Sequence, residues 1–200
     1  MSGVGKLRGS YAKSEERRRE ILEAALEVFA VSGFRSGSIR DVAERVGMSE
    51  AGLLYHFPTK NVLLTAVLDE RDEIGRRFVP SGEDGLATVL GLVTLAEYNM
   101  TIPGVVELFC VLSAEATAAD HPAHDYFVQR YEAVRSLTGR AFGLLAERGL
   151  LRQGIDPEAA SRNVIALMDG LQVQWLLDRN SVDMPEEIRQ FIRGVLTVDI

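Results

Sequence analysis

The side chains best suited to chemistry crowd into one short stretch. Between residues 38 and 60 stand two hydroxyls ahead of apolar-periodic runs (Ser38, Ser49), a guanidinium (Arg40), a carboxylate (Glu50), a phenol (Tyr55), an imidazole (His56) and an ammonium (Lys60). Most are hydrogen-bond donors, and donors gathered near helix starts suit anionic oxygens. No Ser-His-Asp set, phosphate-cradling glycine loop or pair of carboxylates at acid–base spacing stands out anywhere in the chain, so it is not read as an enzyme.

Presenting such groups outward needs a rigid scaffold, and SIRDVAERVGMSEAGLLYHF (38–57) spells one. Ser38 and Asp41 make a capping-box-like opening for a helix through about Val46, and Ser49 caps a further helix to about Phe57. Two short helices cross closely around a tight turn when three conditions hold. A small residue must lie at the contact, a residue tolerating positive φ must sit in the turn, and an aliphatic must pack back. Ala43, Gly47 and Leu53 meet them, with Ile39, Val42 and Met48 around. This is the helix-turn-helix pattern. Upstream, a cap at Ser14 opens a helix through Ile21, Leu22, Ala25, Leu26 and Phe29, ended by Gly33. Downstream, Pro58-Thr59 starts a fourth helix carrying Val62, Leu63, Ala66 and Val67.

A helix-turn-helix enters the DNA major groove with the N-terminal end of its second helix, which brings Glu50, Ala51 and Gly52 nearest the base edges. Glu50 can accept from cytosine N4, or merely satisfy the helix dipole as a first-turn acid. Ala51 can touch a thymine methyl. Gly52 costs about 1 kcal/mol against alanine inside a helix, and close approach of the backbone to DNA explains it.

The longer run GFRSGSIRDVAERVGMSEAGLLYHFPTKNVLL resembles the head of the tetracycline-repressor (TetR) family over about residues 15–65. The shared features are Gly33-Phe34, Ser38, Asp41-Val42-Ala43, Gly47-Met48-Ser49, Phe57-Pro58-Thr59-Lys60 and Leu63-Leu64. Two departures fall on the second helix of the motif. Leu54 stands where the family usually has tyrosine, with Tyr55 one place later, and Glu50-Ala51-Gly52 replaces a basic-glycine-threonine opening. The resemblance implies phosphate contacts from Ser38, Ser49, Tyr55, His56 and Lys60. Both serines also serve as caps without DNA. Arg40 reaches phosphate or is simply an exposed arginine, and Phe34 and Phe57 are core. It also implies a homodimer on a palindromic double-stranded operator, a small-molecule effector of unknown identity, and repression relieved by that effector. The competing reading is an all-helical enzyme or metal-dependent sensor that has borrowed a helix-turn-helix.

The rest of the chain reads as helix, at about 84–99, 103–117, 122–148, 157–178 and 185–196, with Pro103, Pro122, Pro157 and Pro185 near the starts. The expected architecture is all-α: a basic arm over 1–13, a DNA-binding head over 14–61 and a ligand-binding and dimerising body over 62–200. Tyr98, Met100, Phe109, Ser113, Tyr126, Gln172 and Trp175 place aromatics and polar groups among apolar residues, as a small-molecule pocket or a plain core would. His121 and His124 beside Asp120 and Asp125 lack further ligands at clear spacing, so no metal or other cofactor is expected. Segments 157–178 and 185–196 carry more apolar residues than one buried face needs, and a four-helix dimer interface centred near Leu171 is the expectation.

Composition fits this division. Net charge is −7, yet residues 1–60 hold 10 Lys+Arg against 8 Asp+Glu while residues 61–200 hold 12 against 21. A mildly basic head on an acidic body suits a protein that meets phosphate at one end. Lys6, Arg8, Lys13, Arg17, Arg18 and Arg19 make up the basic arm and its continuation, to follow the DNA backbone or to remain solvated. One cysteine, Cys110, in an apolar run and no apolar leader point to the cytoplasm, with no membrane partner.

Overall fold

The computed structural model describes residues 4–200, with side chains from Lys13 onward. Among them are nine helices and no strand: α1 (Val4–Ser36), α2 (Ile39–Val46), α3 (Glu50–His56), α4 (Lys60–Arg76), α5 (Gly85–Met100), α6 (Pro103–Glu115), α7 (His124–Glu147), α8 (Pro157–Leu177) and α9 (Met184–Val195). The all-α expectation holds, and every helix after the first starts within about three residues of its sequence signals; the ends agree as closely except for α4, whose end the sequence did not mark.

The first helix does not begin at Ser14. It runs from Val4, so most of the segment expected as an aperiodic arm is helical. No proline interrupts LRGSYAKSEERRRE, and its Glu, Arg, Lys and Ala residues are good helix formers, which lets the helix pass through Ser14. The side chains of Lys6 and Arg8 lie outside the described residues. Gly33 breaks α1 as expected: its φ of 72° and ψ of 161° are non-helical, and Phe34 turns back to meet the Phe29 ring edge-on at 5.5 Å.

Two compact units divide the chain, Met1–Arg71 and Asp72–Ile200. The head therefore extends about ten residues beyond the expected boundary and takes in most of α4, whose Leu63, Leu64, Val67 and Leu68 are buried. In the head, α2 packs on α1 and α3 on α2. Ile21, Ala25, Phe29, Val42, Leu53 and Phe57 are its fully buried side chains along with Leu63 and Leu64.

In the body, α7 packs on both α5 and α8, and α9 packs on α5 and α8. The core gathers Val89, Phe142, Leu145, Trp175, Ile188 and Ile192. Where α7 meets α8, the fully buried hydroxyls of Thr138 and Ser161 satisfy each other at 2.6 Å. The link from α7 to α8 is pinned to the end of α9. Leu151 and Leu196 form an antiparallel bridge, Arg152 N–H donates to Val195 O (2.8 Å), Thr197 N–H donates to Leu150 O (2.9 Å), and Arg152 Nε donates to Leu196 O (2.7 Å).

Candidate functional site

The turn between α2 and α3 is built as its sequence requires. Ser38 Oγ accepts from Asp41 N–H (3.1 Å) while Asp41 Oδ2 accepts from Ser38 N–H (2.8 Å), a reciprocal cap. Those bonds to Ser38 hold the Asp41 carboxyl below its usual range. Gly47 ends α2 at φ 73°, a left-handed position that alanine would strain. Ser49 Oγ accepts from Gly52 N–H at 3.1 Å to start α3. A Cβ at position 52 would lie 3.2 Å from both Ser49 Oγ and Met48 Cε, so packing within the head already accounts for this glycine.

Leu53 is buried, and α3 turns Glu50, Ala51, Leu54 and Tyr55 to solvent, with Gly52 and His56 half-buried. Tyr55 is 86% exposed and meets the His56 ring edge-on at 5.6 Å. The surrounding cations have partners within the head. Arg40 Nε donates to Glu44 at 2.9 Å, and that bond raises the Arg40 pKa. Arg45 pairs with Glu27, and Arg18 lies over the Phe57 ring at 4.4 Å. Lys60 Nζ donates to Arg35 O at 3.1 Å and sits 4.5 Å from the centre of the Phe34 ring. Loss of hydration there lowers the Lys60 pKa.

Within the body, the expected pocket residues separate. Phe109 on α6 packs on Phe127 of α7 at 5.0 Å, and Tyr126 meets Phe127 at 5.1 Å. Cys110 Sγ donates to Gln172 Oε1 across 3.7 Å, which ties α6 to α8, and Ser113 Oγ donates to Cys110 O. Those four expected residues (Phe109, Ser113, Tyr126, Gln172) thus share the α6–α7–α8 region. Tyr98 instead stacks on Phe78 at 4.7 Å, Met100 packs on the body core, and Trp175 is buried in that core with the Arg179 guanidinium over its ring at 3.8 Å.

Sequence reading missed the polar groups that organise this region. Tyr126 Oη donates to Asp72 Oδ2 (2.6 Å), and Arg130 pairs with the other Asp72 oxygen at 2.9 Å while lying over the Phe109 ring. Tyr131 Oη donates to Asp169 at 2.8 Å. Burial first, and then that carboxylate, push the phenol well above its usual pKa. The signal was available in the spacing of Tyr126 with Arg130 and Phe127 with Tyr131, each four apart on one helix. His121 and His124 are engaged locally. His121 Nδ1 accepts from Ala123 N–H, His121 Nε2 lies 3.7 Å from Glu115, and His124 Nδ1 bonds Ala116 O.

Residues 21–67 match the family described as bacterial regulatory proteins of the tetR family, and residues 105–197 match the C-terminal domain of BetI-type transcriptional repressors. The HTH-type transcriptional repressor KstR2 of Rhodococcus jostii is 37% identical over 191 residues, covering 90% of this chain and 89% of its own. The chain belongs to the TetR family. It is a DNA-binding transcriptional regulator. Solved relatives share the fold. A TetR-family regulator from a Rhodococcus species superposes with a TM-score of 0.72 at 25% identity, covering 90% of this chain and 96% of that one. A regulator from Saccharomonospora viridis, solved in complex with choline, gives 0.77 at 23%, covering 92% and 100%. Membership makes α2 and α3 the helix-turn-helix of this TetR-family regulator, with α3, its second helix, in the place of a recognition helix. No single helix among the described residues is long and apolar enough to cross a membrane.

Proposed function

We infer that this regulator is a homodimeric repressor that holds a palindromic operator and releases it when a small molecule binds the body. It works in the cytoplasm, and no catalytic role is assigned to it. The observation that carries the reading is the Asp72 junction. Helix α4 begins in the head, and its last residues belong to the body. There Asp72 is held by Tyr126 and Arg130 of α7, beside the Phe109–Phe127 pair. A ligand seated among α6, α7 and α8 acts directly on the residues that grip α4. If it favours one arrangement of that grip, operator affinity changes by linkage. In contact with DNA, Ser38, Arg40, Ser49, Tyr55, His56 and Lys60 supply donors to phosphate, and Glu50, Ala51, Gly52 and Leu54 meet the groove.

Dimerisation has its own support in α8. The apolar residues expected at the interface divide between two faces. Val164, Ile165, Leu171 and Trp175 are buried in the body's own core, as are Ile188, Ile192 and Val195 of α9 and Leu196 just beyond it. Leu171 is therefore a core residue and not the centre of an interface. The outward face of α8 carries a stripe of small and apolar groups, Ala166, Gly170, Val173 and Leu177, beside the exposed Gln174 and with Asn163 and Arg162 toward its start; Leu177 is 83% exposed. Gly170 has nothing within 4 Å of where a Cβ would stand, which leaves room for a close helix approach. A partner covering that stripe, and more than about 1,200 Å² in all, accounts for its composition.

Selecting duplexes with the purified protein, and weighing the complex, tests the reading. The expected product is a palindrome bound by two chains, with half-sites one helical turn apart (about 34–36 Å), and displaced by members of a small-molecule panel. A single chain bound to an asymmetric site would overturn it.

A further inference from the structure

The recognition helix EAGLLYH contains no lysine or arginine. At about 100° per residue, with Leu53 facing inward, Ala51 and Tyr55 point outward, Leu54 and beyond it Glu50 lie to one side of them, and Gly52 lies to the other. The exposed face is therefore a methyl, an isobutyl, a phenol and one carboxylate. Guanine presents two acceptors in the major groove, O6 and N7, and is read by cationic donors. This helix carries no lysine or arginine to do so, its donors being the Tyr55 phenol and the half-buried His56 imidazole, and Arg40, Arg45 and Lys60 lie on other helices, paired with Glu44, Glu27 and the Arg35 carbonyl. A carboxylate accepts hydrogen bonds only, so Glu50 repels the guanine edge. It fits the cytosine N4 amino group, the only polar group on that base's own major-groove edge, whereas adenine sets its N7 acceptor beside its amino group. The apolar pair has one natural counterpart among base edges, the C5-methyl of thymine.

We propose that α3 reads its half-site by thymine methyl groups against Ala51 and Leu54 and by a cytosine amino group at Glu50, with no guanine contact from the helix itself. The proposal rests on α3 being the DNA-facing helix and deepens that reading by naming what it recognises. Apolar contact of this kind is worth roughly one buried methyl per base, or about three- to fivefold in affinity.

The test starts from the duplex selected by the intact protein. Each thymine of the half-site is replaced in turn by deoxyuridine, which removes only the methyl. Binding should weaken about three- to fivefold at one or two positions. Leu54→Ala or Ala51→Gly should bind the thymine and uracil duplexes alike at one of those positions, and selection with Glu50→Gln should exchange a cytosine for adenine. If uracil is neutral at every position, or if its cost persists undiminished in both Leu54→Ala and Ala51→Gly, the methyl reading is overturned while sequence-specific binding stands. If no duplex is enriched at all, the regulator reading falls with it.

Discussion

Lys60 holds the end of α1 with the same ammonium that the family resemblance assigns to phosphate. Its bond to Arg35 O and its position on Phe34 mean that truncation does two things. Lys60→Ala should cost the head about 1 kcal/mol in thermal unfolding, the size of one partly exposed hydrogen bond. If the ammonium also meets phosphate, the slope of log affinity against log salt should flatten by about 0.9. A lowered melting temperature with an unchanged slope would make Lys60 purely structural. Tyr131 gives an independent prediction. Its raised pKa places its ionisation well above the ordinary tyrosine range, and Tyr131→Phe should remove that step from the tyrosinate absorbance. The neutral phenol is favoured in the folded state. The stability it contributes is complete below the unfolded tyrosine value of about 10 and is lost as pH climbs through the folded one. Asp41 works in the opposite direction: its depressed pKa supports α2 above the ordinary carboxylate range and ceases to do so as acid protonates it.

Helix α8 has one face buried in its own core and one face bare, and two substitutions separate them. Leu171→Glu buries an unpaired charge and should unfold the body, whereas Leu177→Glu, on an 83% exposed residue, should leave melting nearly unchanged and yield a monomer that no longer holds a palindrome. Sedimentation with circular dichroism distinguishes the outcomes. Both leucines were equally visible as apolar residues in the sequence. Periodicity gives an angle around a helix, and it does not say which neighbour occupies that angle, so Leu171 could be taken for an interface residue. Caps were more legible because they are local: Ser38 with Asp41, Ser49 and Gly47 act within one turn of chain. The early start of α1 was not legible, since Ser14 has the chemistry of a cap whether or not a helix already runs through it. The Asp72–Tyr126–Arg130 cluster joins residues more than fifty positions apart, and no local rule connects them.

Across the whole molecule, the Asp72 junction predicts a separation of binding from response. Tyr126→Phe removes one hydroxyl from the grip on α4 and leaves the ring packed on Phe127. Operator affinity without effector should stay within about twofold, while the loss of affinity on adding a displacing small molecule should shrink, measured as the ratio of dissociation constants. An undiminished ratio would remove Asp72 from the coupling. The pinning of residues 150–152 by residues 195–197 has a consequence for how such a molecule comes into being. Chains fold as they are synthesised, N-terminal units first. The head's buried residues are all available once Leu68 has emerged, but the body lacks its closing clasp until Thr197 has been added. A ribosome that stalls before Thr197 therefore carries a head whose buried set is complete, joined to a body whose clasp is still open. If a small molecule acts through that body as proposed, its control over the head begins only when the codons of that clasp have been read.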